Sequence, residues 1–183
     1  MRKTSIFLIF AGIFSMVMVL TSCASIPPAE RMAPDADTAR VYFIMTSGVT
    51  VTGFGAVTVG TQFTLWNGDT FLSNIGGSQY LVFNFKAGPN TIMAQGNNFF
   101  VIDANLTAGN TYYFRVITLP GFSRPHVRIV QLGADDPDLD RYLKNDCKEI
   151  VPKGKVSDSM VAQAAKKLTE IRNDPEKINL VVR

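Results

Sequence analysis

Between residues 38 and 133, apolar and polar positions alternate with a period of two. The runs are short and are broken about every 8–12 residues by Gly, Pro, Asn or Asp. The run 39–45 sets Val41, Phe43 and Met45 on one face and Arg40, Tyr42 and Ile44 on the other. Its β-branched and aromatic content predicts a strand. The run 61–66 places Phe63 and Leu65 on one face. Asn67-Gly68 then signals a tight turn, and 70–75 returns as a strand. The run 79–86 alternates most cleanly, with Leu81, Phe83 and Phe85 opposite Tyr80, Val82, Asn84 and Lys86. Ala87-Gly88-Pro89-Asn90 predicts a turn into a strand over 91–95, and Gly96-Asn97-Asn98 predicts the next turn. Phe100, Ile102, Ala104 and Leu106 form the apolar face of 99–106. Thr107-Ala108-Gly109-Asn110 turns the chain into 111–118, with Tyr112, Phe114 and Val116 inward and Tyr113, Arg115 and Ile117 outward. A loop carrying Pro120, Gly121 and Pro125 precedes the last strand, 126–132. Connections this short leave no room for crossover helices. The predicted fold class is therefore mainly β: an antiparallel β-sandwich of about seven to eight strands.

The segment 46–61 fits that rhythm poorly. Gly48, Gly53, Gly55 and Gly60 interrupt short Val/Thr alternations. A phosphate cradle would need a following Lys-Ser/Thr and an opening helix, and neither is present, so a mobile loop or bulged edge strand is the expectation.

After Gly133 the period lengthens. Asp136 before Pro137 predicts a short helix to about residue 145, with a cap and a proline in the first turn. Ser157 is placed to cap a longer helix to about 172, with Val161, Ala164, Ala165, Leu168 and Ile171 as its apolar stripe. That stripe is expected to dock on the β domain. Asn173-Asp174-Pro175 ends the helix, and 178–182 is apolar enough to add an edge strand.

The N-terminus follows a different rule. Arg2 and Lys3 precede an apolar run over 6–20 that is short for a membrane span and fits a secretory signal. Leu20-Thr21-Ser22-Cys23 resembles the lipobox of bacterial lipoproteins. That resemblance implies cleavage between Ser22 and Cys23, a diacylglyceryl group on the Cys23 thiol and acylation of the new amine. Two or more acyl chains hold a protein stably on a bilayer, where one does not. Ala24 follows the cysteine, and by resemblance to Gram-negative sorting patterns this points to the outer membrane, facing the periplasm. Pro27, Pro28 and Pro34 make 24–37 a tether, reaching roughly 40 Å if extended. The organisation expected is a signal peptide over 1–22, a lipidated cysteine and tether over 23–37, a β-sandwich over 38–133 and a C-terminal helical extension over 134–183.

Composition sharpens this picture. The whole chain carries +3, but loss of Arg2 and Lys3 brings the mature protein close to neutrality. That gives no electrostatic case for nucleic acid. Between 38 and 133 the only charged residues are Arg40, Lys86, Arg115, Arg124, Arg128, Asp69 and Asp103, whereas 134–183 holds ten acids and ten bases. With Cys23 lipidated, Cys147 has no internal disulfide partner and no neighbouring histidine to activate it, so it is read as structural.

The turn residues carry a second resemblance. Ala39-Arg40-Val41-Tyr42-Phe43, the turn Phe85-Lys86-Ala87-Gly88-Pro89-Asn90-Thr91, and Leu106-Thr107-Ala108-Gly109-Asn110-Thr111-Tyr112-Tyr113 are similar to segments of a family of small bacterial envelope lipoproteins. That family has a PEGA-like β-sandwich domain of unknown function. Gly-Pro-Asn stands here where the family more often has Pro-Gly-Lys/His. The likeness covers 38–133 and implies a fold, with no catalytic residue to carry over.

Catalytic chemistry finds little material. His126 is the single histidine, which excludes a two-histidine metal site within one chain and leaves a nucleophile–histidine–acid triad short of parts. Asp69 and Asp103 fall in different hairpins, with nothing to bring them to the spacing of a paired-carboxylate hydrolase. Arg115, His126 and Arg128 form a candidate cationic surface, to be weighed against scattered solvated charges. Trp66, beside a turn, is a candidate for stacking on a sugar or dipping into lipid, against simply covering a sandwich edge. The sequence therefore predicts a lipid-anchored, non-catalytic binding or structural module without metal or cofactor. Its partners would be the bilayer and an envelope protein or cell-wall component. The alternative is a periplasmic carrier with an apolar cavity, motivated by ten Phe residues within 38–133.

Overall fold

A computed structural model describes residues 34–46, 50–51, 57–58, 61–120 and 125–183. The leader, Ser22, Cys23 and most of the tether lie outside those residues, as does most of the Gly-rich segment. The strands are β1 (Thr38–Met45), β2 (Thr50–Val51), β3 (Val57–Thr58), β4 (Gln62–Asn67), β5 (Thr70–Gly76), β6 (Gln79–Lys86), β7 (Gly88–Gln95), β8 (Phe99–Leu106), β9 (Thr111–Leu119), β10 (His126–Leu132), β11 (Lys148–Glu149) and β12 (Leu180–Val182). Helix α1 (Leu139–Arg141) continues into a π turn over Tyr142–Asp146, and α2 spans Asp158–Asn173.

Two five-stranded sheets form a β-sandwich-like arrangement, ordered β10-β9-β1-β6-β11 and β12-β8-β7-β4-β5. β2 and β3 pair only with each other among the described residues. Most strand pairings are antiparallel, as expected, but both main sheets are mixed because three pairings are parallel. β1 runs antiparallel to β6 from Thr38↔Lys86 to Met45↔Gln79 and parallel to β9 from Arg40↔Thr111 to Ile44↔Arg115. β11 and β12 also join their sheets in parallel, on β6 and β8. The reason lies in the corners. The turns at 87–90 and 107–110 carry the chain from one sheet to the other where a hairpin return was expected. Gly88 (φ 105°) and Gly109 (φ 77°) supply the backbone angles these corners need. Each strand after a corner therefore meets a partner remote in sequence, so its direction relative to that partner is not fixed by a tight turn.

The predicted inner faces meet in the main core. Val41, Phe43 and Met45 of β1 and Leu81 and Phe85 of β6 face Phe63, Leu65, Ile92 and Ile102 of the other sheet. Phe43 stacks on Phe114 at 5.7 Å between centroids. Full burial of such a side chain is worth about 1.5–3 kcal/mol, and a dozen of the largest are fully buried.

Residues 134–183 then cover the outer face of each sheet. α1 and its π turn press Leu139, Tyr142 and Cys147 on Tyr42, Ile44 and Tyr80 of the first sheet. The expected Asp136 cap does not form: Asp136 Oδ1 accepts from the Asp138 N–H at 3.0 Å ahead of the helix, the N-cap position falls to Asp138 without a side-chain cap bond, and regular helix lasts only three residues before the π turn. α2 lays Ala164 and Ile171 on Trp66, Met93 and Val101 of the second sheet. The predicted stripe is rotated: Ala164, Leu168 and Ile171 are buried, whereas Val161 and Ala165 face solvent and Met160 packs in. Ser157 holds the N-cap position, yet its hydroxyl bonds the Ser159 hydroxyl at 2.8 Å and caps no backbone group.

Candidate functional site

The outer face of the first sheet carries Arg115, His126 and Arg128, the candidate cationic surface read from the sequence. Register places Arg115 beside Val130, Arg128 beside Ile117 and His126 beside Leu119, all on one face. They share a face without forming a cluster. Arg115 lies under the π turn, with its guanidinium 4.9 Å from the centre of the Tyr142 ring and Nη2 donating to Thr46 Oγ1 at 3.3 Å. Its Nε is buried without a hydrogen-bond partner. Arg115 therefore holds the π turn to the sheet. His126 Nε2 lies 3.1 Å from Asn97 Nδ2, at the mouth of the β7–β8 turn. Arg128 alone projects into solvent, and among the described residues it makes no ion pair.

The remaining candidates are built into the fold. Trp66 is fully buried beneath α2, edge-on to Phe71 at 5.8 Å. Its Nε1–H donates to Gln95 Oε1 at 3.1 Å, and Gln95 Nε2 donates to Gln163 Oε1 at 3.1 Å. This ring cannot stack on a sugar or enter lipid. Asp69 sits in the β4–β5 turn and Asp103 within β8. Cys147 is buried, and its thiol donates to the Met45 carbonyl at 3.6 Å. Burial pushes its pKa up to about 11; Asp146 pushes the same way and Arg115 opposes. A thiol held protonated is a poor nucleophile. Among the described residues no three His, Cys, Asp or Glu side chains gather as a metal-holding group, and no helix is long and apolar enough to cross a membrane.

The described residues also form openings that the sequence does not reveal, two of which bear on binding. One, of about 370 Å³, lies where β4, the β7–β8 turn and α2 converge, between Thr61, Phe63, Gln95, Asn97, Met160 and Gln163. Its polar lining is hydroxyl and amide, without a charged side chain. The other, of about 400 Å³, runs along β10. Four consecutive residues, Arg128 to Gln131, line one wall, with Phe100, Asn179 and Leu180 opposite. Consecutive strand residues point to opposite faces, so a wall made of all four is the backbone edge of the strand. No local signal marks either opening, because each depends on which strands end up at an edge.

Eight of the ten Phe residues in 38–133 are described, and they serve the packed clusters. Phe43, Phe63, Phe85 and Phe114 are buried in the main core, Phe83 and Phe100 pack against it, and Phe71 and Phe99 pack under α2. No known protein family, curated protein or solved structure matches the chain.

Proposed function

We propose that the chain is a membrane-anchored envelope lipoprotein whose β-sandwich is a non-catalytic binding or structural module. The observation that carries this reading is the N-terminal order of two cations, an apolar run over 6–20, and Leu20-Thr21-Ser22-Cys23. The turn residues resembling small envelope lipoproteins agree with it. In this reading Cys23 is acylated, the tether spaces the body from the outer membrane, and the body faces the periplasm and meets an envelope partner. Support for a docking role comes from the open strand edge at β10, which suits strand addition. The carrier alternative draws less support, because the eight described Phe residues behind it are taken up by two packed clusters.

The test is incorporation of an alkyne-tagged palmitate in a Gram-negative host. Native chain should take the label and sediment with outer-membrane fractions. Cys23→Ser should lose the label and appear in the periplasm or retain its leader. A native chain without label, or a variant that keeps it, overturns the anchor.

A further inference from the structure

A sheet edge presents a row of unpaired peptide groups, which natural proteins usually cover. Here the C-terminal segment covers several. β11 lies on β6, β12 lies on β8, and Ser73 Oγ on β5 both accepts from Lys153 N–H (3.1 Å) and donates to Lys153 C=O (3.0 Å). Among the described residues β10 pairs with β9 alone and receives no strand on its other edge. At Val127 a side chain stands in for one: Val127 N–H donates to Asn98 Oδ1 at 2.7 Å, and Asn98 Nδ2 donates to Val127 C=O at 2.9 Å. A carboxamide offers the same donor and acceptor as a peptide unit, so this is a single rung of a ladder.

Peptide groups of alternate residues point to the same side of a strand. Ile129 and Gln131 therefore aim N–H and C=O the same way as Val127. Among the described residues nothing receives them. They open into the groove of about 400 Å³, whose far wall includes the half-buried Phe100 and Leu180. β10 packs over β7 and β8, so β12 stands one position further out, and the groove lies where a further strand of the first sheet would run. On the outer face Arg128 is exposed, and among the described residues it makes no ion pair.

We propose that the β10 edge is a docking site for an extended peptide strand of a partner protein. This strand would hydrogen-bond to Ile129 and Gln131, set apolar side chains over Phe100 and Leu180, and place an acidic side chain beside Arg128. The inference rests on the binding-module reading and gives it a surface and a ligand chemistry.

The test uses the full chain in detergent and two synthetic seven-residue peptides of alternating Thr and Val, one with a central Glu and one with a central Lys. Amide hydrogen exchange is followed by NMR. The Glu peptide is expected to protect Ile129 and Gln131 and to bind up to about fivefold more tightly than the Lys peptide, the range of an exposed ion pair. Arg128→Glu should reverse that preference and leave the fold intact. Gln131→Pro removes an N–H that the β9 ladder does not use and should abolish binding of both.

Binding without protection at Ile129 and Gln131, or without any charge preference, overturns the proposal while leaving a binding module elsewhere on the surface. Protection at both residues before peptide is added, together with a concentration-dependent dimer that Gln131→Pro dissolves, also overturns it and assigns the edge to a second copy. Loss of palmitate labelling at Cys23 would overturn the anchor instead and leave these outcomes unaffected.

Discussion

The two outer faces of the sandwich are sealed by one stretch of chain in two different ways. On the second sheet a sixteen-residue helix lies on Trp66, Met93 and Val101, and a polar relay, Trp66–Gln95–Gln163, ties it to the sheet. On the first sheet a three-residue helix and a π turn cover the face with more polar material. Tyr42 and Tyr113 approach to 5.0 Å, the Tyr80 and Tyr142 hydroxyls donate to Glu149 and Asp138, and Arg115 lies beneath Tyr142. A dry helix contributes through buried apolar area. A short polar clamp contributes through geometry, and its polar groups cost free energy wherever one is left unmatched, as at Arg115 Nε. The second face should therefore carry more of the stability, and the first should open more readily.

The largest break in that comparison is truncation after Lys155, which removes α2 and β12 together. It uncovers Trp66, Met93 and Val101, each worth about 1.5–3 kcal/mol, in a fold whose whole stability is on the order of 5–15 kcal/mol. The expected outcome is loss of the cooperative urea transition by near-UV circular dichroism. A truncated chain that unfolds cooperatively would make α2 dispensable. Next, Trp66→Ala should cost about 3–5 kcal/mol, since it leaves a large cavity and strands the Gln95 amide. Tyr142→Ala on the first face should cost about 1–3 kcal/mol. Urea midpoints for the two variants rank the faces directly, and the reverse order would refute the asymmetry.

Cys147 gives the first face a pH signature. Its thiol ordinarily titrates near 9.0 and is raised to about 11 by burial. The unfolded chain therefore loses that proton first. The stabilisation is complete below pH 9 and is lost as pH climbs through 11, by on the order of 2 kcal/mol. Tyr113 and Tyr142, also raised chiefly by burial, add to the same fall. Cys147→Ala should flatten the stability profile between pH 8 and 10.5, and an unchanged slope would show that the thiol does not contribute. The smallest effect belongs to Arg115→Met. The substitution loses a cation–π contact of about 0.5–2 kcal/mol but also removes a buried unmatched donor, so the urea midpoint should shift by less than about 1 kcal/mol.

The alternation in 38–133 read correctly because a strand has only two sides. Val41, Phe43 and Met45 went to the main core, as their pattern required. The same pattern called Tyr42 and Ile44 outward without revealing that an outer face would be buried a second time by a segment 95 or more residues away. Trp66 meets the same limit: its strand position is legible, its alternatives stay open in the sequence, and its cover comes from α2. The turn at 87–90 was legible as a change of direction. Gly and Pro report backbone angles, and those angles serve a hairpin or a sheet-to-sheet corner alike. The β10 groove was not legible at all, since an edge is defined by the strand that fails to arrive. The N-terminal address, by contrast, is linear and needs no fold to be read.

The parallel strand β12 has a bearing on how this protein is made. Leu180, Val181 and Val182 pair with Ile102, Asp103 and Ala104, and β11 joins β6 only after β10 is complete. The second sheet cannot reach its full width until the chain beyond α2 has been made, and the first waits for the segment just before α2. During synthesis the emerging chain is a set of unfinished sheets with bare rims, open to self-association. A delay at this stage, by slow synthesis or by a bulky fusion after Arg183, is expected to lower yield through aggregation before it touches the stability of any molecule that finishes folding.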